Sequence, residues 1–129
     1  MKVFDIISED ISPRELDYID NIADSLFKNL GIDVEFTKHF LERVNDERNG
    51  EPITGEEIID LFKKAYAQHG GTIKDMKQAD AILVDLMTNI NIPFIMKPTG
   101  KKTKELVAAT VMRKKDFKSD PHQRRFKVK

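Results

Sequence analysis

The spacing of apolar residues changes near residue 80, and that change limits the chain to few architectures. Upstream, Leu16, Ile19, Ala23, Leu26 and Leu30 recur at helical intervals. So do Phe36, Phe40 and Val44, and then Ile58, Leu61, Phe62, Ala65 and Tyr66. This is the period of helices with one apolar stripe each. Downstream the pattern breaks into short apolar runs of strand length: AILVDLMT (81–88), IPFIMK (92–97), ELVAATVMRKK (105–115) and RFKV (125–128).

End signals divide the first half into three helices. Ser12 is a cap, Pro13 suits the first helical position, and Glu15 completes a capping box; Gly31 ends that helix. A second helix is expected from Val34 to Asn45. The stretch DERNGEPIT is a turn, punctuated by Asn49-Gly50 and Pro52. Thr54 and Glu57 form a second capping box, and Gly70-Gly71 is expected to stop the third helix. Asn89-Ile90-Asn91 reads as the loop of a hairpin, and PTGKKTK as a polar loop. The expectation is an α+β fold: N-terminal helices over 12–69, packed on one face of a C-terminal antiparallel sheet of three to four strands within 81–128. With 129 residues the chain fits one domain over 12–129, with 1–11 a leader or flexible N-terminus.

Composition excludes several classes of function. The sequence holds no run of about 18 apolar residues, so no membrane partner is expected. It has no cysteine, hence no disulfide framework, thiolate metal site or cysteine nucleophile. There is no HExxH, no GxGxxG and no GxxxxGK[ST], so neither a metal nor a nucleotide cofactor is expected. Asp80 and Asp85 fall on opposite faces of a strand and do not read as a two-metal carboxylate pair. A formal net charge of zero hides a split. Residues 97–129 carry 12 Lys/Arg against 3 Asp/Glu, whereas 1–96 carry 10 against 19. A basic end of this kind suits a polyanion, nucleic acid first; a solvated tail that pairs with the acidic half of its own chain is the alternative.

Three histidines are candidates for chemistry. His69 falls at the expected end of the third helix, where a cation complements the dipole. His122 lies in the loop or tail DPHQRR. His39 stands four residues before Arg43, so both share one helix face beside the apolar stripe. A neighbouring guanidinium favours the neutral imidazole, which is a competent general base. The competing reading is a partly buried histidine that hydrogen-bonds the backbone. In the third strand, alternation sets Thr110, Met112 and Lys114 against Val111, Arg113 and Lys115. If the second set faces outward, Arg113 and Lys115 become phosphate contacts on an open sheet; otherwise they only solubilise an edge. With 8% aromatic residues and no stacking pair, an RNA-recognition-motif type of reader is not expected.

The blocks HFLERVNDERNG, PIT, EEIIDLFKKAY, DLMTNINIPFIMK and ELVAATVMRKKDFK, in that order, resemble small nuclease-like domains encoded by tailed bacteriophages. Those domains are grouped with the barnase/RelE/colicin-type ribonucleases. The resemblance covers roughly 36–128. It implies helices followed by a four-stranded antiparallel sheet, and metal-independent RNA cleavage. Its carry-over falls on His39, Arg43, Arg48, Thr110 and Arg113, with the basic end (Lys102, Lys104, Lys115, Arg124 and Arg125) gripping the nucleic acid. RNA supplies the nucleophile, its 2′-hydroxyl; a base takes its proton and fixed cations hold the phosphate, with His39 as that base or as the acid that protonates the leaving 5′-oxygen. RNA is therefore the expected partner ahead of DNA.

The N-terminus MKVFDIISED is similar to leaders that direct internal proteins into the heads of T-even-type phages. Such leaders are cut after a glutamate in an Ile/Leu-x-Glu context, here Ile7-Ser8-Glu9. That likeness implies passage in the virion, phage capsid proteins as partners, and release into the host cytoplasm. Two other readings stay open: a nucleic-acid-binding module of the same fold without turnover, and an internal or structural virion protein.

Overall fold

The computed structural model describes residues 10–129 except 78, 100–102, 119, 120 and 122. The leader-like Ile7-Ser8-Glu9, Lys102 and His122 therefore lie outside the described residues. Helix α1 (Pro13–Phe27) starts where expected: Ser12 accepts from the N–H of Glu15, with proline at its first turn. A 3₁₀ turn (Lys28–Leu30) follows and closes on Gly31, whose φ of 72° is the left-handed conformation that glycine adopts without penalty. Strand β1 (Ile32–Phe36), helix α2 (Lys38–Val44), a second 3₁₀ turn (Glu47–Asn49) and helix α3 (Gly55–Lys74) come next. Strands β2 (Ala79–Asp85), β3 (Ile90–Pro98), β4 (Lys104–Ala108), β5 (Met112–Arg113) and β6 (Arg124–Val128) complete the chain.

The class is α+β, but the sheet is mixed. Its order is β1-β4-β3-β2-β6, with the short β5 on β3. β3 runs antiparallel to both β4 and β2, whereas the two flanking strands run parallel to their neighbours, β1 to β4 and β6 to β2. The purely antiparallel, C-terminal sheet of three to four strands expected from the sequence is thus corrected to a mixed sheet of six strands, and two of the changes have a local cause.

The first is β1, where a helix was expected from Val34. Ile32, Val34 and Phe36 are buried and alternate with exposed Asp33 and Glu35, a period of two that wins once β4 is available as a partner. Phe36 then faces the same core as Phe40 and Val44 without sharing their helix. Their rings lie 4.7 Å apart across the turn at Thr37, which caps α2.

The second lies between β4 and β5. Ile95 pairs with Val107, but Ile90, five residues back, pairs with Arg113, six residues on. One extra residue therefore sits in 109–111, the signature of a bulge. It reverses which side chains face in: Leu106 and Ala108 before it, Val111 after it, all buried. The single strand expected over 105–115 is accordingly two.

Smaller boundaries also move. The hairpin turn is 86–89, with Asn89 at φ 62°, and Asn91 belongs to β3. Gly70-Gly71 does not stop α3, because Ile73 in the next turn is fully buried. Burying that side chain is worth roughly 1.5–3 kcal/mol, enough to offset glycines that cost about 1 kcal/mol each.

One core fills the space between the helices and one sheet face. Phe27, Phe36 and Phe62 meet edge to face at its centre, with centroids 5.7 Å (Phe27–Phe62) and 5.4 Å (Phe36–Phe62) apart. The other sheet face carries Asp33, Glu35, Glu105, Lys97, Ile95, Asp80, Ile82, Val84, Arg125 and Lys127 by alternation from the register. Part of it is covered by the described residues around Phe117 and Gln123. The Phe117 carbonyl accepts from Arg125 and the Ala81 carbonyl from Gln123, and Ile82 beneath is fully buried. Among the described residues no helix is long and apolar enough to cross a membrane.

Candidate active site

Helix α2 holds the pair that the sequence singled out. Phe40 and Val44 turn inward and leave His39 and Arg43 on the outer side. The Arg43 Nε–H donates to His39 Nε2 at 3.0 Å. Because Nε2 accepts, a neutral His39 carries its proton on Nδ1, which lies 3.5 Å from a Glu42 carboxylate oxygen. The ring is half exposed, and Arg43 about a third exposed, so a solute can reach both. The backbone-bonded, buried histidine considered as the alternative is not the arrangement found.

Asp46 links this pair to Arg48. Its carboxylate accepts from Arg48 Nη2 at 2.8 Å and lies 3.7 Å from Arg43 Nη1. The Arg48 hydrogen bonds, first through the side chain and then through the backbone N–H, pull the Asp46 carboxyl down to about 2. Arg48 is two-thirds exposed, so the cluster Glu42–His39–Arg43–Asp46–Arg48 forms one charged strip at the surface.

Asn49 joins this strip to the sheet. Its Nδ2 donates to the carbonyls of Arg43 and Val44, and its Oδ1 accepts from the N–H of Arg113. Thr37, the α2 cap, donates its N–H to the Ala108 carbonyl, two residues ahead of Thr110. The helix of His39 is therefore linked through Asn49 to the strand of Arg113, and through Thr37 to the end of β4, two residues before Thr110. Thr110 itself is half-buried and lines a small outer-face hollow with Pro93, Ile95 and Val107.

Arg113 is not the open-face phosphate contact considered from the sequence. The bulge turns it toward the helices, and each of its three nitrogens has a protein acceptor. Nε donates to Glu51 O, Nη1 to Thr88 O, and Nη2 to Pro52 O and the Glu57 carboxylate, the last at 2.7 Å. Glu57 meanwhile completes the Thr54 capping box of α3. Burial opposes ionisation of Glu57, but Arg113 and the Thr54 N–H outweigh it and hold the carboxyl below its ordinary range. Arg113 thus ties the 47–57 loop, the start of α3 and the hairpin turn into one unit beneath the His39 strip.

The basic end divides by environment. Lys104 donates to the carbonyls of Lys74 and Met76, which cap the end of α3, so it is committed to the fold. Arg124 lies over the Phe126 ring at 5.1 Å. Arg125 is tethered to the Phe117 carbonyl at 2.9 Å, and Lys115 is exposed beside it. His69 is in mid-helix rather than at a terminus, and its Nε2 donates to the Lys127 carbonyl at 2.7 Å, covering the edge of β6. Asp80 is exposed and Asp85 buried, the latter paired with Lys64 at 2.8 Å, on opposite faces as alternation requires. Among the described residues no three His, Cys, Asp or Glu side chains gather as a ligand set for a metal.

Sequence reasoning missed Asn49 and Glu57 as residues that position the site. Asn49 carried a signal only as a turn former, and its burial is a tertiary fact. No protein-family model, curated protein or solved structure matches the chain.

Proposed function

We propose that this protein is a metal-independent endoribonuclease of the barnase/RelE-like kind and of bacteriophage origin. The observation that carries the reading is the 3.0 Å bond from Arg43 to an accessible His39 Nε2. It holds a basic lone pair and a phosphate-seeking guanidinium side by side in a position open to solvent. The antiparallel trio β4, β3 and β2 beneath the helices supports the fold assignment, although the flanking parallel strands go beyond what the resemblance implies.

A phosphodiester drawn to Arg43 competes for its N–H groups and frees Nε2. The imidazole then takes the proton of the adjacent ribose 2′-hydroxyl. The 2′-oxygen attacks phosphorus, the bond to the 5′-oxygen breaks, and that oxygen leaves with a proton from water. The products are a 2′,3′-cyclic phosphate and a free 5′-hydroxyl. Arg43 and Arg48 offset the charge that builds on the phosphorane, an effect worth roughly 2–4 kcal/mol for one well-placed donor. Arg113 acts as a positioning residue. Its lack of a free nitrogen is the observation that favours the second reading, a nucleic-acid-binding module of this fold without turnover.

The test is cleavage of a labelled single-stranded RNA by purified protein with excess chelator. Cyclic-phosphate ends, no cleavage of the matching DNA, and a loss of about 10²–10⁴-fold in His39→Ala are expected. Salt-sensitive binding with no cleavage by the wild-type protein removes the enzyme and leaves the binding module. No binding at all points to an internal virion protein, located by assaying purified particles.

A further inference from the structure

The outer sheet face is electrically polarised. At the β1/β4 end, Asp33, Glu35 and Glu105 stand together, and burial followed by repulsion from Glu35 raises the Glu105 carboxyl. At the opposite end, Arg125 and Lys127 project from β6, and Lys114 and Lys115 meet them from the segment after β5. Lys97 stands opposite Glu105 and offsets part of the acidic end, while the basic end gathers around β6. The four cations line a concavity of about 240 Å³ whose apolar wall includes Val84, Leu86 and Phe117.

This concavity is built rather than incidental. Asn91 is buried, and its Nδ2 donates to the carbonyls of Asn89, Met112 and Lys114. The N–H of Lys114 donates to Asn89 O at 2.8 Å, so the backbone N–H and C=O of Lys114 are both fixed. Asp116, at φ 56°, turns the chain so that the Phe117 carbonyl holds Arg125. Of the two acidic residues at its rim, Asp116 is exposed, and Asp85 turns its carboxylate to the helical side, where it pairs with Lys64 at 2.8 Å. Among the described residues no carboxylate pairs with the ammonium groups of Lys114, Lys115 or Lys127.

We propose that this concavity is a phosphate subsite that anchors the backbone of a single RNA strand; the choice of RNA rests on the ribonuclease reading. Its volume is below the roughly 300–1,000 Å³ of pockets that enclose whole organic ligands, and it suits a phosphodiester unit. Fixed cations with an adjoining apolar wall are what a sugar-phosphate backbone requires, and the acidic far end steers a polyanion toward the basic one. The end of β5 at Arg113 is decisive here, because continued alternation would have set Lys114 and Lys115 on opposite faces.

The test uses the full chain carrying His39→Ala, so that binding is read without cleavage. Affinity for a short labelled single-stranded RNA is measured by fluorescence anisotropy over a tenfold range of salt. The variant Lys114→Gln/Lys115→Gln/Lys127→Gln is compared with Lys28→Gln/Lys63→Gln/Lys74→Gln, which removes the same charge from the helical layer. Three lost phosphate contacts flatten the plot of log K against log salt by about 2, which is about 100-fold in affinity at roughly 0.1 M salt. The control variant is expected to keep its slope within a few tenths. Equal losses in both variants, or polyglutamate binding as tight as RNA, overturn the subsite. A protein that binds through this concavity but never cuts RNA keeps the subsite and loses the enzyme. A protein that cuts RNA with the slope unchanged in the first variant loses only the subsite.

Discussion

Replacing Arg113 with alanine separates its structural role from a ligand-binding one. The guanidinium is nearly buried and supplies four hydrogen bonds, to Glu51 O, Thr88 O, Pro52 O and Glu57. Its removal leaves the three-quarters-buried Glu57 carboxylate without its cation and three carbonyls short of a donor. Breaking a buried pair from one side costs about 3–5 kcal/mol, because the remaining charge stays desolvated. A domain of this size has roughly 5–15 kcal/mol in all, so the variant should fold but unfold early. With a urea m value of about 2 kcal/mol/M, a loss of about 4 kcal/mol moves the midpoint down by about 2 M. Arg113→Lys should recover less than half, since one ammonium cannot serve acceptors on three sides. In the Arg113→Ala background, Glu57→Gln should cost less than it does alone, because the charge to be stranded is already gone. Urea unfolding followed by circular dichroism measures all four variants. A midpoint for Arg113→Ala within about 0.3 M of wild type, accompanied by lost RNA binding, would refute the structural role and return Arg113 to the ligand.

Two further perturbations probe the supports of the site. Asn49→Ala removes three bonds that join α2 to β5 and should cost about 2–3 kcal/mol in denaturant unfolding; His39→Ala, half exposed, should cost under about 1 kcal/mol. An Asn49→Ala variant as stable as wild type would show that the helix is held without this bridge. Asp20 is raised to about 7, by burial first and then by Asp24, Glu35 and Asp17, and its Oδ1 is buried with no hydrogen-bond partner among the described residues. The folded chain therefore holds this proton more tightly than the unfolded one, whose carboxyl titrates near 3.8. Asp20 thus makes stability fall as pH rises from about 4 to about 7, with the full penalty above that window. Asp20→Asn should raise Tm at pH ~8 and flatten its pH dependence between ~4 and ~7; an unchanged profile would refute the assignment.

The sequence by itself determined what a few adjacent residues can encode. Ser12-Pro13 and the Thr54–Glu57 box mark the starts of α1 and α3, and Gly31 ends the first helical segment, because caps and left-handed turns are satisfied within one turn of chain. The apolar runs after residue 80 likewise announced β2, β3, the start of β4 and β6, and the four-residue spacing of His39 and Arg43 foretold their contact. Tertiary structure decided the rest. Residues 32–36 satisfy a strand period while Phe36 also fits a helical one, and only the distant partner β4 selects between them. The parallel placements of β1 on β4 and of β6 on β2 join segments far apart in sequence, which no local pattern records. The bulge at 109–111 is a register choice made against β3. It sends Arg113 into the interior as a brace, and the end of β5 just after it lets Lys114 and Lys115 leave the strand together beside β6. Because strand side chains alternate with a period of two, a slip of one residue reverses every direction after it, and no local pattern records which partner strand imposes that slip.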